Sequence, residues 1–355
     1  MRIFSDIVPR LSRLTETHSN LRDVGNLRLG LVGCGAIAQW HAQALQHASR
    51  TQVTACIDVS QTNAQKLADL TGGQPCASID EALAIGVDAL AIMVPHHLHE
   101  ELVTQALEAG VHVALEKPMA PTLEACERIL ATAARHSDRV FMLTENAQYW
   151  PEVVMAQQLI ADGAIGDIVT ARSWHNFGIT KEFYPSDDSW RFQQAAAGGG
   201  VALDTGSHWM RPLRMILGEI DEVVGVTGRL WQKMEGESLV RSLCRFQSGV
   251  VASFDVILAT GAVGLQPHFQ FTGTKGEIVI SALGEVRLFD GKDWQGTVVG
   301  NGNYMDSYQG VWKDFEAAIL DGTPLAADAR YSLGEVAAAN AIIRSAETKR
   351  WEKVW

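Results

Sequence analysis

One lysine, Lys117, occupies a position at which its side chain could take part in a reaction. The segment HVALEKPMAPT (112–122) runs from an apolar stretch directly into Glu116, Lys117 and Pro118. If this stretch is a parallel strand, Lys117 lies at the carboxyl edge of the sheet, where open α/β folds bind ligands. An ammonium group there can hydrogen-bond a hydroxyl and stabilise negative charge that develops on its oxygen. The alternative is a solvated lysine, which is common at strand ends.

An aspartate and a histidine form a second candidate pair. Asp204 and His208 lie in GGGVALDTGSHWM (198–210), where a flexible glycine run leads into a predicted helix. Their spacing would stack both side chains on one helix face. Imidazole titrates near neutral pH and could accept a hydroxyl proton, while the carboxylate would orient the ring and support its protonated form. The alternative is an ordinary hydrogen bond on a helix surface.

The elements that must position these residues follow a βαβ pattern from Arg28 to Thr144. Apolar runs that predict strands covered on both faces alternate with amphipathic stretches of helical length. Ser60 and Thr122 can cap two of the helices, and Gly110 stands where another should end. The pattern predicts a doubly wound parallel sheet. Its predicted strands are residues 27–33, 52–58, 88–94, 111–115 and 140–144.

The junction of the first strand and helix carries a phosphate-binding pattern. In GLVGCGAIAQWHAQAL (30–45), Gly33, Gly35 and Ala38 have the G-x-G-x-x-A spacing, which permits a tight turn, a close approach to pyrophosphate and close helix packing. Asp58 ends the second strand, where its carboxylate can bind the adenosine ribose or instead cap the next helix. Because this charge would repel a 2′-phosphate, NAD is favoured over NADP.

Three histidines in PHHLHEE (95–101), namely His96, His97 and His99, could suggest a metal cluster. They follow another predicted strand and lead into a helix, so we favour a loop that lines the cofactor. Hydride transfer from an alcohol needs no metal once the lysine and the histidine are present, and no third ligand is positioned beside Asp204 and His208. We predict no metal site.

The pattern changes after Pro151. A predicted helix (152–162) ends at Gly163, alternating stretches punctuated by turns follow, and residues 309–349 are predicted to be helical. This pattern indicates a mostly antiparallel sheet with one buried face. The other face could be an oligomer interface, or it could simply be solvated. The predicted strands of this part are residues 167–176, 221–231, 238–246, 250–258, 268–274 and 276–282.

The composition and net charge of the chain argue against several classes of function. The chain of 355 residues has a formal net charge of -12, which argues against binding to nucleic acid or to an anionic membrane surface. The five cysteines form no C-x-x-C pair and lie mostly in apolar runs, as expected for reduced thiols in the cytoplasm. No stretch approaches the ~20 apolar residues of a membrane span. Residues 1–26 are expected to be an N-terminal extension rather than a signal peptide.

Several segments occur in the order found in one known family: GLVGCGAIA, VPHHLHEELVTQALEAGVHVALEKPMA, GAIGDIV, GGGVALDTGSHW and GTKGEI. From Leu27 to the C-terminal helices, the sequence resembles the Gfo/Idh/MocA family of glucose-fructose oxidoreductases and inositol dehydrogenases. The resemblance implies an N-terminal Rossmann dinucleotide-binding domain (27–148) and a C-terminal α+β domain (149–355) with a large, mostly antiparallel open sheet. It also implies homodimers or homotetramers that form through that sheet.

The resemblance assigns the family's catalytic lysine to Lys117, its acid to Asp204 and its general acid/base histidine to His208. We therefore expect an NAD-dependent enzyme that transfers hydride between nicotinamide and a secondary hydroxyl or ketone of a sugar, polyol or cyclitol. One alternative is a non-catalytic NAD-binding regulator. Another is an NAD-dependent glycosidase that oxidises its substrate transiently.

The remaining expectations concern contact residues. Trp190 and His175 are further candidates for substrate or nicotinamide contact, although the tryptophans could equally be core or interface residues. Arg211 stands where many family members carry an acid, and Gln148 stands where a basic residue is frequent, which leaves the substrate subclass open. The expected cofactor contacts are Gly33, Gly35, Ala36, Ile37, Asp58, Val94, Pro95, His99, Glu116, Lys117 and Pro118. The expected substrate contacts are Lys117, Trp174, Asn176, Arg191, Asp204 and His208.

Overall fold

The computed structural model describes residues 26–186, 188–259, 267–281, 284–299 and 306–355. The expected N-terminal extension lies outside the described residues, apart from Asn26.

Six parallel strands form the first sheet, in the order β3-β2-β1-β4-β5-β6. This is the strand order of a Rossmann fold, and it brings β1 and β4 together at the point where the order reverses and ligands bind. The five predicted strands are confirmed. β3 was not predicted, because it is only three residues long and contains Pro75. The strands are β1 (Leu27–Val32), β2 (Thr51–Ile57), β3 (Gln74–Cys76), β4 (Ala89–Ile92), β5 (His112–Leu115) and β6 (Phe141–Leu143).

Helices connect these strands: α1 (Ala36–Leu45), α2 (Gln61–Thr71), α3 (Ile79–Ile85), α4 (His99–Glu108) and α5 (Leu123–Arg135). The predicted caps are confirmed, since Ser60 accepts a hydrogen bond from Asn63 N and Thr122 accepts one from Ala125 N. Gly110 follows α4 with a φ of +78°, a conformation that glycine adopts without strain. Local sequence therefore determines where these helices begin and end.

Nine strands form the second sheet, in the order β14-β13-β12-β11-β7-β10-β9-β8-β15. Neighbouring strands are antiparallel except for the parallel pair β7 and β10, so the prediction of a mostly antiparallel sheet is confirmed. The strands are β7 (Ile168–Gly178), β8 (Ile220–Gly228), β9 (Leu239–Phe246), β10 (Val251–Ala259), β11 (Pro267–Gly273), β12 (Glu277–Ser281), β13 (Glu285–Phe289), β14 (Trp294–Val298) and β15 (Glu352–Lys353).

The remaining α-helices are α6 (Pro151–Ala161), α7 (Gln194–Ala197), α8 (Gly206–Leu217), α9 (Asp306–Leu320) and α10 (Leu333–Thr348). The predicted helical segment 309–349 is interrupted between α9 and α10, where Gly322 has a φ of +68° and Pro324 lacks a backbone donor. α9 packs against α1, the helix that follows β1, through Tyr308, Trp312 and Phe315. Short 3-10 helices lie at His96–Leu98, Asn146–Tyr149, Trp190–Phe192 and Ala329–Ser332.

One face of the second sheet is covered and the other is open. Ser173 on β7 donates a hydrogen bond to Trp209 O in α8, so this face of β7 lies against the helices. The opposite face carries exposed apolar side chains, among them Val226, Leu243, Trp294 and Val298. We call this surface the open face.

All five cysteines are buried and free, as their apolar surroundings predicted. Within the described ranges, every helix is too short or too polar to cross a lipid bilayer.

Candidate active site

The phosphate-binding pattern forms an open cradle at the start of α1. Gly33 has a φ of +87°, and a Cβ added there would lie 2.5 Å from Met93 O, so only glycine fits. A Cβ added at Gly35 would meet nothing within 4 Å, which leaves open space over the first amides of the helix. Helix N-termini of this kind bind anions. The loop therefore fits the pyrophosphate of a dinucleotide.

Asp58 is hydrogen-bonded to this loop. Its Oδ2 accepts a hydrogen bond of 2.7 Å from Cys34 N, and its Oδ1 accepts one of 2.7 Å from Ser60 N. The carboxylate thus links the turn to the residue that caps α2, whereas the cap itself is Ser60. A carboxylate can accept further hydrogen bonds, and contact between Asp58 and the adenosine ribose stays a prediction.

Lys117 lies directly beyond β5 and contacts Asp204. Its Nζ donates to Asp204 O at 2.9 Å and to Asp204 Oδ1 at 3.1 Å, although 87 residues separate the two. Arg191 Nε approaches the other carboxylate oxygen to 3.3 Å. Burial by itself raises the pKa of Asp204, but Lys117 and Arg191 outweigh burial and hold this pKa well below its usual range. Asp204 is therefore an ionised anchor between two cations.

The prediction that Asp204 and His208 stack on one helix face is wrong. α8 begins at Gly206, so Asp204 lies in the turn that precedes the helix. The glycine run that was predicted to be flexible is hydrogen-bonded to a neighbouring side chain. Glu237 accepts hydrogen bonds from Gly200 N at 3.1 Å and from Ala202 N at 2.9 Å. The turn directs Asp204 toward Lys117.

The carboxylate beside His208 is Glu145. His208 Nδ1 lies 2.6 Å from Glu145 Oε1, and both side chains are buried. Burial alone raises the pKa of Glu145, but the charges of His208 and Arg211 lower it overall, so Glu145 is ionised. An ionised carboxylate only accepts hydrogen bonds, and Nδ1 must therefore carry the proton. This arrangement makes Nε2 the ring nitrogen that can accept a further proton.

Sequence reasoning missed Glu145, although a signal was present. Glu116 follows β5 and Glu145 follows β6, and parallel neighbouring strands end at the same edge of the sheet. Glu116 was predicted to contact the cofactor. The structure places its side chain inside the protein, where it accepts hydrogen bonds from Thr144 Oγ1 and Lys117 N.

His96 forms one wall around Asp204. Its Nδ1 is 2.9 Å from Ala197 O, and its Nε2 is 3.9 Å from Asp204 Oδ1. Burial lowers the pKa of His96 to about 3, so the ring is neutral. Trp190 packs edge-on against this ring, and the Arg191 guanidinium stacks on Trp190 at 4.4 Å. Arg191 thus pairs with Asp204, and Trp190 packs on His96 and Arg191, while contact of either residue with substrate or nicotinamide stays a prediction.

His99 holds the loop after β4 against the loop after β5. Its ring nitrogens lie 3.0 Å from Val94 O and 3.1 Å from Pro118 O, and burial lowers its pKa. Val94, Pro95 and Pro118 therefore belong to adjoining loops at the carboxyl edge. His97 is exposed. The part of the chain that the structure describes contains no group of three or more potential ligands that could hold a metal ion.

The side chains predicted around β7 divide between the two faces of the sheet. His175 stacks on Trp209 of α8 with ring centroids 3.5 Å apart, so it faces the helix that carries His208. Trp174 lies on the open face, where the Arg172 guanidinium is 4.5 Å above its ring. Asn176 shares that face by alternation. The structure thus separates Trp174 and Asn176 from His208, against the expectation that they contact the same substrate, because strand residues alternate between faces.

Comparison with known proteins decides the family. Residues 27–144 match the model described as "Oxidoreductase family, NAD-binding Rossmann fold", and residues 153–279 match the GFO/IDH/MocA C-terminal domain. A 1,5-anhydro-D-fructose reductase of Ensifer adhaerens is 31% identical over 257 residues, which are 71% of this chain and 75% of that protein. The chain belongs to the Gfo/Idh/MocA oxidoreductase family. The expected cofactor, NAD, is confirmed by the family model, whereas the preference over NADP stays a prediction.

Solved structures of similar proteins share this fold. Levoglucosan dehydrogenase in complex with NADH and levoglucosan superposes with a TM-score of 0.84 at 23% identity, covering 93% of this chain and 99% of that one. An oxidoreductase from Thermotoga maritima gives a TM-score of 0.83 at 28% identity, covering 93% of this chain and 98% of that one. The two-sheet Gfo/Idh/MocA architecture therefore extends over nearly all of the described chain.

The two departures of this Gfo/Idh/MocA chain from the family pattern contact each other. Arg211 is fully buried and donates to Gln148 Oε1 at 2.7 Å. It also donates to Ser332 Oγ at 2.6 Å and to Glu335 Oε1 at 2.8 Å. Arg211 thus places a buried positive charge near Glu145.

Proposed function

We propose that this Gfo/Idh/MocA protein is an NAD-dependent dehydrogenase that interconverts a secondary hydroxyl and a ketone on a sugar, polyol or cyclitol. The observation that carries the proposal is the Lys117–Asp204 pair. It joins the carboxyl edge of the NAD-binding domain to the turn before α8, which is the helix that carries His208. This pair supports the inference that Lys117, as a hydrogen-bond donor, and His208, as a proton acceptor, act on one hydroxyl.

The NAD-binding residues would be those of the cradle and the adjoining loops. Gly33, Gly35, Ala36 and Ile37 form the turn and the first residues of α1, where open space fits a pyrophosphate. When bound, NAD supplies a nicotinamide ring that can take up or give back a hydride. Asp58 is placed to accept hydrogen bonds from the ribose, and its negative charge disfavours a 2′-phosphate.

Each polar residue then has one task. Lys117 donates a hydrogen bond to the reacting oxygen and stabilises its negative charge. Asp204 holds the Lys117 amine in place, and Arg191 pairs with the other oxygen of the Asp204 carboxylate. His208 takes the hydroxyl proton at Nε2 during oxidation and returns it during reduction. Glu145 fixes the Nδ1–H tautomer of His208 and supports the imidazolium that forms, a role that we had expected Asp204 to fill.

The relatives support a carbohydrate substrate. The similar proteins include 1,5-anhydro-D-fructose reductase and levoglucosan dehydrogenase, and an inositol 2-dehydrogenase of Corynebacterium glutamicum is 30% identical over 162 residues. These names span sugars and a cyclitol, and we propose the same range here. The second domain, from about residue 149, would supply the substrate contacts. Because its cysteines are free, we also propose a cytoplasmic location for the protein.

The test is NADH formation with a panel of sugars, polyols and cyclitols. We expect Lys117→Ala and His208→Ala each to lower turnover by about a hundredfold or more, whereas His47→Ala, at an exposed histidine, should behave as the unaltered enzyme. Turnover near that of the unaltered enzyme in both site variants would contradict the proposal. NAD binding without turnover of any panel member would favour the regulator, and release of a free sugar without net NADH would favour the glycosidase.

A further inference from the structure

His41 lies on α1 and contacts Glu116, the residue that precedes Lys117. Its Nε2 is 2.7 Å from Glu116 Oε1, and both side chains are buried. Glu116 immediately precedes Lys117 in the chain and accepts a hydrogen bond of 3.0 Å from the Lys117 backbone N–H. His41 is therefore linked through Glu116 to the backbone of Lys117, the residue that carries the proposed reacting amine.

The surroundings of His41 are aromatic. The ring centroid of Tyr308 is 4.5 Å from that of His41, and Trp312 packs edge-on at 5.4 Å. Both aromatic residues belong to α9, which packs on α1. In an apolar setting of this kind, a hydrogen bond between an imidazole and a carboxylate is stronger than it would be in water.

One ring nitrogen of His41 lowers the stability of the protein. His41 Nδ1 is buried, and among the described residues it has no hydrogen-bond partner. A buried polar atom without a partner destabilises a protein, and its persistence requires an explanation. A phenylalanine or a leucine would fill this aromatic pocket without that cost. The histidine is therefore retained for its bond to Glu116 and not for packing alone.

Glu116 receives donors from three elements. Thr144 Oγ1, beyond β6, donates at 2.9 Å, His41 Nε2 donates from α1, and Lys117 N donates from the chain itself. The charged or titratable groups that face Glu116 are His41, Lys117 and His99. Burial raises the pKa of Glu116, but His41 and Lys117 outweigh it and lower the pKa. The carboxylate is thus ionised next to the Lys117 ammonium.

We propose that His41 is a positioning residue for Lys117 and that it acts through Glu116. This inference rests on the proposed function, in which Lys117 contacts the reacting oxygen. The imidazole fixes the Glu116 carboxylate. The carboxylate in turn fixes the backbone of Lys117 and interacts with its positive charge. Asp204 binds the same ammonium group directly, so two carboxylates act on Lys117.

The experiment compares His41→Leu, His41→Gln and Thr144→Val with His47→Leu, a control at an exposed histidine just beyond α1. We expect His41→Leu to lower kcat by about tenfold or more with a smaller change in KM, because a buried hydrogen bond to a charged group is lost. The Gln amide can donate to Glu116 as Nε2 does, so His41→Gln should recover most of kcat. Thr144→Val should lower kcat in the same direction, and its effect should not add to that of His41→Leu.

A second readout does not depend on turnover. The acylation rate of Lys117 by a small amine reagent, measured by peptide mass spectrometry, should rise several-fold in His41→Leu and return in His41→Gln. The exposed Lys181 serves as the reference within each sample. If the unaltered protein turns over no substrate, the proposed function fails. The acylation rate of Lys117 still tests whether His41 positions this lysine. If His41→Leu folds and matches the unaltered protein in both kcat and Lys117 acylation, the inference is overturned. If His41→Leu does not fold, Thr144→Val decides by the same two measurements.

Discussion

The carboxylate of Glu145 lies 2.6 Å from His208 Nδ1, whereas Asp204, four residues before the histidine, contacts Lys117 instead. Each of the two proposed reacting groups thus has its own carboxylate. An acid that follows β6 contacts the imidazole, and an acid in the turn before α8 contacts the amine. The two carboxylates should therefore be separable by mutation.

Glu145→Gln should lower kcat by about a hundredfold, since the amide cannot stabilise the imidazolium and can favour the wrong tautomer. Binding of NADH, measured by its fluorescence, should change little. Asp204→Asn should also lower kcat, but it should in addition accelerate acylation of Lys117, which Glu145→Gln leaves unchanged. Identical acylation and kinetic profiles for the two variants would argue against two separate pairs.

Acid should destabilise the protein through His96. Its folded-state pKa, about 3, lies below the ordinary value of 6.5, because burial disfavours the charged ring. The unfolded chain takes up this proton first as the pH falls. The free energy of unfolding therefore keeps its full value above the ordinary pKa of histidine. As the pH falls from there toward the folded-state pKa, this free energy decreases by at most about 1.4 kcal/mol per pH unit.

His96→Asn should consequently make the free energy of unfolding less dependent on pH between about pH 6.5 and about pH 4. Urea unfolding at several pH values measures this slope, and His97→Asn, at the exposed neighbour, is the matched control. Equal slopes for His96→Asn and the unaltered protein would show that His96 does not stay neutral in the folded state.

Arg211→Leu should destabilise the fold. The variant leaves Gln148 Oε1 and Ser332 Oγ without their donor and removes one of the two arginines that contact Glu335. Breaking a buried ion pair by removing one partner costs about 3 kcal/mol. Urea unfolding should show this loss, while Arg330→Leu, which breaks a surface pair with Glu127, should show almost none. A stability loss as small as that of Arg330→Leu would contradict the structural role of Arg211.

We propose that the open face mediates homodimers or homotetramers, because exposed apolar side chains on a sheet face favour association. Leu243→Asp places a charge on this face and should shift the protein toward monomers in sedimentation velocity. Leu70→Asp, at an exposed position on α2, should leave the oligomeric state unchanged. If Leu243→Asp sediments like the unaltered protein, the interface lies elsewhere.

The sequence by itself determined much of the fold. The parallel strands, the caps at Ser60 and Thr122 and the cradle at Gly33 and Gly35 follow from residue types and local periodicity, which act within a few residues. The position of Lys117 at the sheet edge follows in the same way, because it comes directly after an apolar strand. The short strand β3 was missed, since three residues with a proline carry no such pattern.

Only the tertiary structure decided which groups pair. The partners Lys117 and Asp204 are 87 residues apart, and His208 and Glu145 are 63 residues apart. Local spacing favoured Asp204 with His208, but the helix starts after Asp204 and the turn directs its side chain elsewhere. Such pairings depend on which strand ends become neighbours when the sheet assembles. Burial then makes them strong, because a carboxylate out of water must find a cation or a donor.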